Sequence, residues 1–78
     1  MNQARQKNYR FNLQISQQEY LRYYQGAASS VLVFSENGQR LRFPASRLRP
    51  FLTHTGIHGR FQMTVDTQNR FVEMKKLS

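Results

Sequence analysis

Arginine side chains are the groups in this 78-residue chain whose type and spacing favour a particular chemistry. The chain has 12 Lys and Arg residues against 4 Asp and Glu residues, which gives a formal net charge of +8 at pH 7. The planar guanidinium group of Arg pairs with phosphate through two parallel hydrogen bonds and stacks on nucleobases. This excess of cations favours a polyanionic partner such as nucleic acid.

The arginines form short clusters in the second half of the chain. Arg40 and Arg42 alternate with apolar residues, so both are expected on one face of a strand. An exposed tyrosine on a helix would add a surface on which a base could stack. The sequence predicts one binding surface made of Arg40, Arg42, Arg47, Arg49, Arg60 and Tyr23.

These residues favour a non-enzymatic module that binds nucleic acid. RNA or a single strand is the expected form, because no helix in the sequence is rich in side chains that read duplex bases. In this interpretation Arg would contact phosphates and Tyr would stack on a base.

Other interpretations remain open from the residues alone. An Arg at an outward strand position can simply keep a small β protein soluble and unpaired at its edges. A face made of Val31, Val33, Arg40 and Arg42 would also suit contact with another protein or a second copy of the chain. A small anionic ligand such as a cyclic dinucleotide is a third candidate, which the spacing of Arg5 and Arg10 does not support.

Catalytic or metal chemistry has little support in the sequence. His54 and His58 are four residues apart, but Gly56 between them argues against the helix that would bring both imidazoles to one side. The chain has no Cys, so thiolate metal sites, cysteine nucleophiles and disulfides are excluded. Each carboxylate has a structural explanation as a cap, turn or strand residue, namely Glu19, Glu36, Asp66 and Glu73. We therefore expect no enzyme activity, no metal and no cofactor.

The length and composition fit one small domain. We expect residues 1–8 to form a disordered basic arm and residues 9–78 to form the domain, with 38% of all residues apolar. No segment approaches the roughly 18 consecutive apolar residues of a membrane span, and the first residues lack the apolar core of a secretory signal. A cytoplasmic protein that does not enter a membrane is the expectation.

The first elements that must position the arginines are a strand and a helix. Strict alternation from Tyr9 to Ile15 is typical of a half-buried strand. Ser16 and Glu19 have the spacing of a capping box, so a helix of about nine residues is expected to begin there and to end at Gly26.

A β-hairpin is expected next, because Asn37-Gly38 lies between two apolar runs. With these two residues as the turn, Phe34 would face Leu41 and Leu32 would face Phe43, which places all four apolar side chains on one buried face. Arg40 and Arg42 would then lie on the opposite face beside Val33.

The remaining segments alternate between turns and strands. Pro44 ends the third strand, and a helical turn follows that contributes Leu48, Phe51 and Leu52 to the core. Residues 53–59 are expected to be a loop and residues 61–65 a fourth strand. Phe71 to Leu77 should form a fifth strand after a turn that ends at Asn69, with Asn69 in the left-handed conformation. The predicted fold is α+β and mostly β, with about five short antiparallel strands in a curled sheet or small barrel. An open sheet covered by the helix is the alternative.

Four segments of the chain carry a resemblance to known proteins, namely residues 21–26, Asn37-Gly38, residues 43–45 and residues 48–61. Together they resemble a family of small bacterial proteins catalogued as a domain of unknown function, and the resemblance covers about residues 9–77. Its most specific part is the run LRPFLTHTGIHGRF from Leu48 to Phe61. The resemblance implies a stand-alone small bacterial protein and brings no activity, substrate or cofactor. Within the run, Pro50, Gly56 and Gly59 resemble residues required for backbone geometry.

Overall fold

The computed structural model describes residues 6–25 and 29–78 of the chain. In that part of the chain the order is β1 (Lys7–Ile15), α1 (Gln17–Gln25), β2 (Ser30–Phe34), β3 (Arg40–Pro44), a 3₁₀ helix (Ala45–Phe51), β4 (Ile57–Val65) and β5 (Phe71–Lys76). The predicted mostly β architecture, with a helix after the first strand and a helical turn after the third, is confirmed.

Two antiparallel sheets enclose the core. One sheet has the strand order β1-β4-β5 and the other is the β2-β3 hairpin. The amide of Glu36, in the hairpin turn, donates a hydrogen bond of 2.7 Å to the carbonyl oxygen of Arg10 in β1. No strand ladder joins the two sheets in the described residues, so the arrangement is a curled and open one rather than a closed barrel.

The strand and helix at the start of the chain form as local signals predict. Phe11 and Leu13 of β1 are buried, and the capping box closes with the amide of Glu19 donating to Ser16 Oγ and the amide of Ser16 donating to Glu19 Oε1, both at 3.1 Å. Tyr20 is buried and donates its hydroxyl to the carbonyl oxygen of Ala45, which fixes α1 against the 3₁₀ helix. The predicted helix end at Gly26 lies outside the described residues.

The domain begins earlier than the sequence predicts. Lys7 pairs with Val65, and Asn8 pairs with Thr64, whose hydroxyl donates to Asn8 Oδ1 at 2.7 Å. Both residues therefore belong to β1 rather than to the predicted arm at residues 1–8. Residues 1–5 lie outside the part that the structure describes.

The predicted register of the hairpin is wrong by one residue. Phe34 pairs with Arg40 and Val33 pairs with Leu41, so Val33 is buried at 8% exposure whereas Phe34 is 61% exposed. The turn has three residues rather than two. The amide of Ser35 donates to the carbonyl of Gln39 at 2.8 Å, and Gly38 adopts a φ of 90°. A three-residue turn with a left-handed third residue is a common alternative to the predicted two-residue turn. The extra residue moves the other face of β2 into the core.

The segment predicted as a loop at residues 53–59 is shorter than expected. A tight turn closes between Thr53 and Gly56, and β4 begins at Ile57, which is fully buried. Gly59 lies within β4 opposite Leu13 and has a φ of 139°. The two glycines, which suggested a loop, instead adopt positive φ values in the turn before β4 and within β4 itself.

The last elements complete the core. Leu48 of the 3₁₀ helix is fully buried, and Phe51 and Leu52 pack against the core while partly exposed. The ladder between β4 and β5 contains a bulge, in which Val65 pairs with Phe71 and Thr64 pairs with Glu73. Val72, between these two residues of β5, has no partner on β4 and is 44% exposed. No helix in the described ranges has the length and apolar character needed to cross a membrane.

Candidate nucleic-acid interface

The solvent side of the hairpin presents apolar and cationic side chains together. We call the set Leu32, Phe34, Arg40 and Arg42 the hairpin face. In the β2-β3 ladder Phe34 is paired with Arg40, and Leu32 is paired with Arg42. Phe34 is 61% exposed and Leu32 is 47% exposed, and both arginines are exposed. The face therefore offers an aromatic ring with a guanidinium group on the neighbouring strand.

The composition of β2 explains why such large apolar groups reach solvent. The strand reads SVLVF, with apolar residues on both faces. Val31 and Val33 fill the core opposite Phe43 and Leu41. Because successive side chains of a strand point to opposite faces, Phe34 cannot join them. Exposed neighbouring apolar side chains of this size are more informative than single ones, since they often mark a binding surface.

A cleft opens beside the hairpin, where the free edge of β3 faces the three-stranded sheet. We call it the seam cleft. It has a volume of about 270 Å³. Its lining consists of Tyr9, Gln39, Arg40, Leu41, Arg42, Met63, Val65 and Asn69. Arg40 and Arg42 thus contribute to both the hairpin face and the seam cleft.

Arg47 lies in a different place from the hairpin arginines. Its guanidinium carbon is 4.3 Å from the centre of the Phe71 ring, a cation–π contact between the 3₁₀ helix and β5. It lines a second cleft of about 300 Å³ together with Pro50, Phe51 and Met74. This second cleft shares no lining residue with the seam cleft. Arg49 belongs to the same 3₁₀ helix and is exposed.

Arg60 makes a two-point ion pair. Its Nε donates to Glu36 Oε2 at 2.6 Å, and its Nη2 donates to Glu36 Oε1 at 2.8 Å. The hydrogen bonds from Arg60 hold the pKa of the Glu36 carboxyl below its usual value, and Glu36 in turn raises the pKa of Arg60. This guanidinium joins the hairpin turn to β4, so it is engaged within the protein.

The predicted surface of six residues is only partly assembled in one place. Arg40 and Arg42 lie together, whereas Arg47 and Arg60 make the contacts described above and Tyr23, 37% exposed, lies on α1. Sequence reasoning missed the exposed Phe34 and Leu32. The signal that could have found them is the fourfold apolar run of β2, in which one alternating pair has to face outward unless a further layer covers it.

The two histidines lie in and directly after the turn between Thr53 and Gly56. His58 is the second residue of β4, and its Nε2 lies 2.9 Å from the carbonyl oxygen of Thr55 in the preceding turn. His54 is exposed in that turn. No group of three or more His, Asp or Glu side chains able to hold a metal ion occurs among residues 6–25 and 29–78.

The family of the chain follows from comparison with known families. A family model described as "Protein of unknown function (DUF2835)" matches residues 7–77. The chain belongs to this family. The DUF2835 match begins at the first residue of β1 and extends past the last residue of β5, so it includes every strand and helix of the described residues. The match confirms the resemblance to a domain of unknown function. No curated protein and no solved structure is significantly similar to the chain.

Proposed function

We propose that this chain is a non-enzymatic module that binds RNA or single-stranded nucleic acid through the hairpin face. The observation that supports this most directly is the ring of Phe34, which is 61% exposed and paired with Arg40 in the ladder. Binding of single strands uses base stacking on aromatic rings together with cations that contact the phosphates. The hairpin face combines both groups.

The charges of the chain support the same proposal. Among the described residues, no ion pair joins Arg40 or Arg42 to a carboxylate, whereas Arg60 and Arg70 are paired with Glu36 and Asp66. The two hairpin guanidinium groups are therefore available to phosphates. A net charge of +8 would also attract a polyanion over a long distance. A cytoplasmic location, where RNA is present, accords with this proposal.

The salt dependence of binding tests the role of the arginines. For a single-stranded oligonucleotide, the logarithm of the binding constant should fall linearly with the logarithm of salt concentration, by about 0.7 per contacted phosphate. Changing both Arg40→Gln and Arg42→Gln should lower the magnitude of this slope by about 1.4. The matched control is Arg22→Gln with Lys75→Gln, which removes the same charge from exposed positions on α1 and β5.

The aromatic contact has its own test. Phe34→Ser should weaken oligonucleotide binding at least about fivefold, because stacking of one base contributes about 1–3 kcal/mol. It should leave the salt slope unchanged, since no charge is lost. Equal slopes and affinities for the hairpin variants and the control pair, measured by fluorescence anisotropy, would exclude the hairpin face as the binding surface.

Self-association or binding of another protein is the second candidate function. The exposed Leu32 and Phe34 favour it, because exposed apolar groups beside arginines are typical of protein interfaces. The sequence predicted that Val31 and Val33 would share such a face with Arg40 and Arg42, but both valines are buried. A wild-type dimer in light scattering that Phe34→Ser converts to a monomer, with no oligonucleotide binding at low salt, would favour this second function.

A further inference from the structure

The seam cleft is large enough for one small planar group. Its volume of about 270 Å³ lies just below the range of about 300–1,000 Å³ that is usual for small-molecule sites. The cleft opens along β3, which is hydrogen-bonded to β2 alone in the described sheets. It therefore adjoins the hairpin face, with Arg40 and Arg42 at the boundary between the two.

The lining of the cleft has an apolar and aromatic part. Leu41, Met63 and Val65 are core side chains that are 7%, 4% and 5% exposed. Tyr9 is half-buried and packs against the same core. Together these side chains provide a small apolar floor and an aromatic ring, on which one face of a flat heteroaromatic group could pack.

Two side-chain amides complete the lining, and both extend from a fixed backbone. The backbone amide of Gln39 donates to Ser35 Oγ at 3.0 Å. The backbone amide of Asn69 donates to the backbone carbonyl oxygen of Asp66 at 3.0 Å, within a turn in which Asn69 has a φ of 64°. Asp66 Oδ1 also accepts from the amides of Gln68 and Arg70, at 2.8 and 2.9 Å. These bonds fix the main chain at both positions.

The side-chain amides themselves remain free. No hydrogen bond joins the carboxamide of Gln39 or of Asn69 to another group in residues 6–25 and 29–78. A carboxamide offers a donor and an acceptor side by side, which is the chemistry that reads the edge of a nucleobase. The cleft thus combines an apolar floor, an aromatic ring, two free amides and two adjacent cations, which together match a base carrying a phosphate.

We propose that the seam cleft takes one unstacked base of the strand bound on the hairpin face and reads its edge through Gln39 and Asn69. This inference rests on the proposed function and adds to it a specific subsite. Arg40 and Arg42 contact the phosphates that flank the inserted base, and Phe34 stacks on a neighbouring base outside the cleft. Single-stranded recognition commonly separates stacking from the reading of base edges in this way.

Nuclear magnetic resonance of the side-chain amides tests the cleft directly. Adenosine, cytidine, guanosine and uridine monophosphates are titrated in turn, with ribose 5-phosphate as a control that carries the phosphate and lacks the base. At least one mononucleotide should shift the carboxamide resonances of Gln39 and Asn69, and ribose 5-phosphate should not. Equal shifts with ribose 5-phosphate would reduce the site to a phosphate contact and overturn the proposal, as would no shift with any mononucleotide.

Asn69→Gly is the variant that removes one reading group without straining the turn, because glycine adopts positive φ readily. It should weaken binding of the preferred mononucleotide at least threefold while the midpoint of thermal unfolding does not fall. Gln68→Ala is the control, since Gln68 lies in the same turn and does not line the cleft. Equal affinities for Asn69→Gly and Gln68→Ala would contradict the assignment of Asn69.

Binding of decamers separates this inference from the proposed function. A decamer of the preferred nucleotide should bind at least tenfold more tightly than the mononucleotide. Phe34→Ser should reduce this gain and leave binding of the mononucleotide unchanged. If decamers bind with the expected salt slope and Asn69→Gly has no effect, the hairpin face is retained and the base subsite is wrong. If the mononucleotide binds as tightly as the decamer and Phe34→Ser changes neither, the cleft serves a free nucleotide and the strand proposal fails. If no decamer binds, both proposals fail.

Discussion

Gly56 occupies a place where the backbone of one segment meets another with no room for a side chain. A Cβ added at this residue would overlap the carbonyl oxygen of Ile15 and lie 2.8 Å from the amide nitrogen of Gln17. Its φ of 119° is also a conformation that residues with a Cβ rarely adopt. Gly56 thus lets the Thr53–Gly56 turn pack on the junction between β1 and α1.

Replacing two glycines with alanine separates conformational strain from steric overlap. Gly38 has a φ of 90° and an added Cβ there would have no atom within 4 Å, so Gly38→Ala should cost about 1–3 kcal/mol from strain alone. Gly56→Ala should cost clearly more, because the backbone of Ile15 and Gln17 would have to move. Urea unfolding measures both values. Equal costs would mean that the junction can relax around a methyl group.

Glu36 links acid sensitivity to the ion pair at the hairpin turn. Hydrogen bonds from Arg60 lower the pKa of Glu36 in the folded chain, so protonation of this carboxyl opposes folding. The stabilising contribution is complete above about pH 5 and is lost as pH falls through the folded-state pKa. Asp66, whose pKa is lowered mainly by the backbone amide of Arg70, adds to the same acid loss.

Comparison of the wild type with Glu36→Gln isolates the contribution of Glu36. The variant should be less stable than the wild type at pH 7, and the difference should shrink toward pH 3 because the wild-type carboxyl is then protonated. The contribution of Asp66 is present in both chains and cancels. Glu73→Gln, at an exposed position of β5, serves as the control and should change the free energy of unfolding little at either pH. A constant difference for Glu36→Gln between the two pH values would contradict the ion-pair explanation.

At the scale of elements, the register of the hairpin determines which residues are available to a partner. With the three-residue turn, Val33 is buried and Phe34 is exposed. Val33→Thr should destabilise the fold by about 1–3 kcal/mol, because it buries a hydroxyl without a partner. Phe34→Thr should change the free energy of unfolding by only about 0.5 kcal/mol. The two-residue turn would give the opposite order, so thermal or urea unfolding of this pair distinguishes the registers.

Elements with local signals could be predicted from the sequence. The alternation in β1, the capping box of Ser16 and Glu19, and the left-handed Asn69 all depend on residues close together in the chain, and all three are found. The hairpin register could not be predicted, because β2 is apolar on both faces and the Asn-Gly pair fits turns of two or three residues. In β3, by contrast, Arg40 and Arg42 define the outer face without ambiguity.

Features that depend on contacts distant in sequence escaped prediction for a different reason. The start of β4 at Ile57 depends on pairing with Ile15, and the engagement of Arg60 depends on Glu36 in another sheet. The seam cleft is likewise formed by side chains from β1, the hairpin, β4 and the last turn. Of the candidate site, the sequence identified Arg40 and Arg42, whereas Tyr9, Gln39 and Asn69 carried no local signal of a shared cleft.

At the scale of the whole molecule, like charges are concentrated in a small volume. The net charge is +8 and the radius of gyration is 12.9 Å. Raising the salt concentration from about 0.01 M to about 0.1 M shortens the Debye length from about 30 Å to about 10 Å, so repulsion across the molecule is reduced. Because self-repulsion destabilises a compact state, the midpoint of thermal unfolding should rise by a few degrees over this range.

The salt effect on stability should be opposite in sign to the salt effect on binding. The variant with Arg22→Gln and Lys75→Gln, which carries two fewer positive charges, should show a smaller rise in the unfolding midpoint. Differential scanning fluorimetry at several salt concentrations measures this rise. A midpoint that falls with added salt would mean that attractive pairs such as Glu36 and Arg60 outweigh the net repulsion.

The docked hairpin turn has a consequence for how much the length of this segment can vary. Surface turns usually tolerate insertions, because their ends alone are held. Here the backbone amide of Glu36 donates to the carbonyl oxygen of Arg10 in β1, and both carboxylate oxygens of Glu36 accept hydrogen bonds from Arg60 in β4. The tip of the hairpin is therefore attached to two strands of the other sheet. One inserted residue would shift Glu36 away from both. Members of the family should therefore keep the turn between β2 and β3 at a constant length, and a peptide tag placed there should separate the hairpin from the three-stranded sheet.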